Sequence, residues 1–177
     1  MALASLTLPF GLRDVKLRPI DAAGAVGASV DLPAGRTFSF EESEDYEELR
    51  GDDKIIAIRG KGPSVDWELE SGGIQIDAFK VMAGGTVTTS GVTPNESKQI
   101  KKLVTDTRPY FQVEGQAISD SGGDFHVLLY KCRASESLEG ELGDGVFWLT
   151  SASGKALGNN NDELYLFKAN ETAVAIT

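Results

Sequence analysis

In the run Val65-Asp66-Trp67-Glu68-Leu69-Glu70, apolar and acidic side chains alternate without exception. Successive side chains of a strand point to opposite faces, so Val65, Trp67 and Leu69 share one face and Asp66, Glu68 and Glu70 the other. The first face is core. The second is a row of three carboxylates that repel one another, readable as a solvated face or as the lining of a water-filled passage through which a polyanion moves without sticking.

This run ends a stretch, Arg36 to Glu70, around which the chain is organised. The stretch begins with the alternating segment Arg36-Thr37-Phe38-Ser39-Phe40-Glu41. It then enters Glu41 to Glu48, where Glu41, Glu42, Glu44, Asp45, Glu47 and Glu48 surround a single Tyr46. Such dense like charge has little to bury and predicts an exposed loop. Gly51-Asp52-Asp53 turns the chain into a second alternating run, Lys54 to Arg59, and Gly60-Lys61-Gly62-Pro63 connects to the carboxylate strand. Three strands around one charged excursion are expected.

Upstream, Leu6 to Gly11 reads as an apolar arm, Asp14 to Pro19 as a strand, and Ser29 to Leu32 as a second short strand after a small-residue connection. Downstream, Ile74 to Ala83 is the best helix, with Ile76, Phe79 and Ala83 on one face, Ala78 and Met82 adjoining, Ser71-Gly72-Gly73 as its cap and Gly84-Gly85 as its stop. Thr93-Pro94-Asn95-Glu96 fits a helix capping box, yet Ile100, Lys102 and Val104 alternate; the segment Lys98 to Thr105 is assigned as strand. Tyr110 to Ile118, Phe125 to Arg133 and Val146 to Ser151 are further strands. The last alternating segment, Leu164 to Ile176, serves as an arm as readily as a core strand.

With 177 residues, of which 41% are hydrophobic, the chain suits one domain with a substantial core. A net charge of −10 disfavours a stable nucleic-acid complex built on phosphate neutralisation. One Cys and one His make neither an internal disulfide nor a zinc-type ligand set. No run approaches the roughly 18 apolar residues of a membrane helix, so no membrane partner is expected. His126 and Cys132 read as structural strand residues, and no nucleophile with an orienting carboxylate accompanies either, so no enzyme, catalytic residue or cofactor is expected. Asp52-Asp53, Asp120 with Asp124, and Asp144 fit ordinary turns better than any calcium loop, and no metal is expected.

The chain resembles the major tail tube protein of long, non-contractile-tailed bacteriophages. The likeness lies in the order of Gly11-Leu12-Arg13-Asp14-Val15-Lys16, Phe38 to Glu41, Glu48-Leu49-Arg50-Gly51-Asp52-Asp53 and the helix with its Gly84-Gly85 stop. It continues through Thr93-Pro94-Asn95, Arg108-Pro109-Tyr110-Phe111, Gly122-Gly123-Asp124-Phe125-His126-Val127 and Tyr130-Lys131-Cys132, and fades over residues 146–177. The resemblance implies a mainly β tail-tube fold, a β-sandwich or partly open barrel with one flanking α-helix, in a single domain spanning 1–177. That domain would carry an N-terminal arm (1–12), an acidic assembly loop (41–53) and a C-terminal arm or strand (158–177). It further implies a structural virion protein, made in the bacterial host cytoplasm, whose hexameric rings stack into a tail tube that conducts DNA in transit. Tape measure protein and tail tip or terminator proteins would be its other partners. On this reading Asp66, Glu68 and Glu70 face the lumen, and Glu44, Tyr46, Glu47, Arg50, Asp52, Asp53 and Phe10 meet neighbouring subunits. The competing expectations are a contractile-tail or secretion-type tube protein and a free-standing ligand-binding β-sandwich.

Overall fold

The computed structural model describes residues 7–141 and 143–177. In chain order the strands are β1 (Pro9–Ile20), β2 (Val30–Asp31), β3 (Gly35–Gly51) and β4 (Lys54–Gly72), followed by helix α1 (Ile76–Ala83). Then come β5 (Thr86–Ser90), β6 (Ser97–Lys101), β7 (Tyr110–Ser119), β8 (Asp124–Arg133), β9 (Leu138–Gly140), β10 (Leu149–Ala156) and β11 (Tyr165–Asn170). The fold is mainly β, with one large antiparallel sheet and one helix, consistent with the expected β-sandwich or partly open barrel.

The large sheet runs β2-β1-β7-β8-β10-β4-β3, and β5-β6 forms a separate hairpin. One edge of β8 is shared: Asp124 to Leu129 pair with β11, whereas Cys132 and Arg133 pair with Ala156 and Lys155 of β10. At that two-pair seam the sheet folds over, bringing β1 and β7 to face β3 and β4. Val15, Leu17, Phe111, Val113 and Leu129 from one half meet Val65, Trp67 and Leu69 from the other. The Trp67 and Phe111 rings pack edge to face at 5.6 Å, a favoured aromatic geometry. The buried Trp67 Nε1–H has no hydrogen-bond partner among the described residues, so apolar contact alone secures that ring. Close approach of the halves also depends on Gly115, where a Cβ would lie 2.7 Å from the Phe38 ring.

Helix α1 closes one end of the core with Ala78, Val81, Met82 and Ala83. Its buried face is rotated from the expected one: Val81 replaces Ile76 and Phe79, because the helix is packed among β1, β2 and β7 and the β5–β6 hairpin rather than against one sheet face alone. Gln75, not Ser71-Gly72-Gly73, caps it, its Oε1 accepting from the amides of Asp77 (2.6 Å) and Ala78 (3.1 Å). Ser71 and Gly72 are still paired within the β4 ladder. Gly84 ends the helix at φ 79°, where any Cβ would meet the Thr107 carbonyl at 2.7 Å.

Several boundaries differ from the sequence expectations. Residues 41–53, expected as a loop, form the far half of β3 and the two-residue turn that leads into β4. Lys54 to Arg59 and Val65 to Glu70 are one strand, since Gly60-Lys61-Gly62-Pro63 stays in the ladder. Lys98 to Thr105 is a strand only to Lys101. The strand expected at Val146 to Ser151 begins at Leu149 and reaches Ala156, following the small residues that pack on β4.

The segments expected as arms are tied to the body. Residues 1–6 of the N-terminal arm lie outside the described residues; Leu8 hydrogen-bonds Ser119 and Asp120, and β1 begins at Pro9. The C-terminal region supplies β11 against β8, and residues 171–177 then run back over the outer face of the sheet, burying Ile176.

Candidate functional site

Three surfaces stand out beyond the core. The first is the outer face of β4. Val65, Trp67 and Leu69 are buried, and Asp66, Glu68 and Glu70 point the other way, as the alternation requires. Antiparallel register places Glu41, Ser39 and Thr37 of β3 opposite them on one side, and Lys155, Ser153 and Ser151 of β10 on the other. The row is therefore not a bare wall of charge. Lys155 pairs with Asp66 at 2.7 Å and Arg36 with Glu70 at 3.3 Å, while Glu68 sits between serines with no ion pair among the described residues. Donating to Asp66, and feeling its negative charge, raises the Lys155 pKa, so that ammonium stays charged. Glu41, Asp66, Glu68 and Glu136 border a shallow depression of about 330 Å³ on this face. Acidic groups still predominate there, and sequence alone did not reveal the two neutralising partners, which come from other strands.

The second surface is the far half of the β3–β4 hairpin. Gly51 and Lys54 close a two-residue turn at Asp52 and Asp53, both with positive φ (48° and 62°), the signature of a type I′ turn. Along the arm, Tyr46 donates from its hydroxyl to Glu44 at 2.9 Å, and Lys61 pairs with Glu47 at 2.5 Å. Arg50, expected to pair across an interface, holds Glu48 of its own strand through Nε (3.0 Å) and Nη2 (2.7 Å). All of these side chains are exposed. So are Tyr46, Leu49, Ile55, Ile56 and Ile58, with Ile56 at 66%. Lys54 to Arg59 is strand, as its alternation predicts, but its isoleucines have no body beneath them. Phe10 lies away from this arm, 78% exposed on the part of β1 that β2 does not cover.

The third surface is buried and polar. On the outer face of β1, β7 and β8, His126 hydrogen-bonds Glu114 through Nδ1 and Asp124 through Nε2, both at 2.9 Å. Arg18 donates to Glu114 at 2.8 Å and to the Thr177 carbonyl at 2.5 Å. Asp124, 0% exposed, also accepts from Gln116 (2.5 Å), Asn170 (2.7 Å) and the Val174 amide (2.8 Å). Burial opposes ionisation of Asp124, but the donors from Asn170, His126, Val174 and Gln116 outweigh it and hold the carboxyl well below its usual range. Burial likewise opposes a charge on His126, yet the hydrogen bonds to Glu114 and Asp124 raise its pKa, so both ring nitrogens donate. The network ties residues 171–177 to the sheet. Asp124 shares a face of β8 with His126 two residues on, a proximity that strand alternation alone provides, whereas Glu114 and Arg18 reach the site only through the pairing of β1, β7 and β8.

Cys132 is fully buried, and its thiol pKa is pushed far up by that burial. Among the described residues no group of three or more His, Cys, Asp or Glu side chains is arranged to hold a metal ion, and no helix is long and apolar enough to cross a membrane. No protein-family profile matches the chain, and comparison with curated proteins returns no match.

Proposed function

We propose that this protein is a structural subunit that assembles into stacked rings forming a tube, a role like that of the major tail tube proteins it resembles, with DNA passing through the lumen. One observation carries the reading: the far half of the β3–β4 hairpin displays Leu49, Ile55, Ile56 and Ile58 to solvent with no core of its own. A two-stranded ribbon is marginal by itself in water. A row of exposed aliphatics on such a ribbon is explained by a partner surface that covers it. The free edges of β3 and of the first half of β1 support the same reading, since ring closure would pair or cover edges that otherwise invite uncontrolled addition of strands.

Asp66, Glu68 and Glu70 are proposed to face the lumen. Residual negative charge there suits a conduit, because each basic contact to phosphate would strengthen binding and slow passage. In a hexameric ring this face would repeat six times. The tape measure and tail tip proteins are proposed partners on the strength of the resemblance alone.

Sedimentation and negative-stain microscopy across a concentration series test the proposal. Rings or hollow tubes are expected as concentration rises; only monomer at every concentration, with or without an initiating tip complex, would overturn it. For the channel, Asp66→Lys, Glu68→Lys and Glu70→Lys together are expected to leave tubes intact but slow DNA ejection at low salt. Normal ejection from such tubes would place the acidic row on the outside.

A further inference from the structure

Strand β4 has the hairpin turn at its first residue, and three residues separate its last from α1. Its 19 residues at about 3.3 Å each span about 60 Å, so turn and helix lie at opposite ends of the molecule. Beside α1 is an apolar groove of about 500 Å³ lined by Pro19, Ala28, Val30, Val81 and Pro109, with Lys80 at its rim. We propose that the hairpin tip and this groove are the two halves of one head-to-tail contact between copies of the chain. In it, Ile55 and Ile56 of one copy fill the groove of the next, and Asp52 and Asp53 meet its Lys80 and Lys101. This inference rests on the self-assembly reading and specifies which surfaces join.

Charge complementarity names the occupant. Residues 41–63 hold eight acidic and four basic side chains, whereas residues 77–109 hold five basic and three acidic ones in a chain whose net charge is −10. Some of those basic groups are already engaged: Lys98 pairs with Asp77, Lys102 donates to the Ala83 carbonyl, and Arg108 donates to the carbonyls of Ala134 and Glu136. Lys80 and Lys101 are exposed and have no such partner among the described residues, and neither have Asp52 and Asp53. Apolar content matches as well, since Ile55 and Ile56 are exposed on the ribbon and the groove wall is mostly carbon. The two patches are different surfaces, so the contact is heterologous: each copy that docks its tip still offers a groove, and assembly propagates.

The experiment pairs a charge-neutral tip with a cross-link. Asp52→Asn with Asp53→Gly removes both carboxylates yet supplies the Asn-Gly pair that a type I′ turn prefers, so the hairpin is retained. The concentration needed for assembly is expected to rise about tenfold at low salt, and the gap from wild type to narrow as salt screens the wild-type contact. Separately, a copy carrying Ile56→Cys is mixed with a copy carrying Lys80→Cys and treated with a short bis-maleimide; buried Cys132 stays silent. A cross-linked dimer is expected from the mixture and from neither copy alone. If wild type assembles but the mixture gives no cross-link, or if the neutral tip assembles at the wild-type concentration with unchanged salt dependence, the contact is overturned while self-assembly stands. A wild-type protein that remains monomeric overturns both.

Discussion

The two halves of the β3–β4 hairpin share one backbone ladder and differ in what lies beneath it. From Phe38 to Phe40 and from Val65 to Leu69, each inward side chain meets the opposing half of the sandwich or the aromatic cluster of Phe125, Tyr165 and Phe167. From Glu44 to Pro63 the pairing continues, but aliphatic side chains project into solvent. Hydrogen bonding is therefore not what separates them. The near half is held by its own chain, and the far half has apolar surface to offer another.

The largest effect is expected where the near half meets the core. Trp67→Ala should destabilise the monomer by about 3–5 kcal/mol, read from urea unfolding, through lost burial and the cavity left against Phe111. A loss near that of a surface change would break the contrast between halves.

The comparison sharpens on the outer face of β7 and β8, where a solvent-side position becomes buried because residues 171–177 cover it. His126→Gln should cost about 1–3 kcal/mol by removing charged donors from Glu114 and Asp124. The His126 pKa is raised above its ordinary 6.5, so its contribution is full below pH 6.5 and disappears as pH rises through the folded value. Asp124 is lowered from 3.8, so its contribution is present above pH 3.8 and lost as pH falls through the folded value. Thermal melts should thus show wild type exceeding His126→Gln most between pH 3.8 and 6.5, with the gap closing in alkali. A gap independent of pH would remove His126 from the network.

On the far half, Ile56→Ser with Ile58→Ser should change monomer stability by less than about 0.5 kcal/mol per site, yet suppress assembly in sedimentation. Marked destabilisation of the monomer would show that this ribbon packs on its own body. Smallest of all, Glu68→Lys alone should shift unfolding by no more than about 0.5 kcal/mol, because its neighbours are Ser39 and Ser153.

Alternation made the near half legible. Asp66 to Glu70 and their buried neighbours, the helix ending at Gly84, and strands β7 and β8 follow from local patterns that tertiary contacts reinforce. The far half was not legible because strand periodicity reports burial, and 41–53 buries little: Glu41 to Glu48 carries charge on both faces of the ribbon, a pattern shared with loops. The β3–β4 pairing lies in a register that local sequence does not display. The ion pairs Asp66–Lys155 and Arg36–Glu70, and the Glu114 carboxylate beside His126, join different strands, so no spacing within one strand reaches them; Asp124 lies two residues from His126 on β8, where strand alternation alone puts both on one face.

The seam between β8 and β10 has a consequence for motion. Among the described residues only Cys132 with Ala156 and Arg133 with Lys155 are paired there, supplemented by the Leu157 amide to the Lys131 carbonyl. The halves on either side are laddered far more extensively, as in β1 with β7 and β3 with β4. Interlocked side chains, rather than the seam, then keep the halves closed. A loosening of that packing would let them swing apart like the leaves of a book with each leaf intact, and amide deuteration would register two separate protection classes before global unfolding.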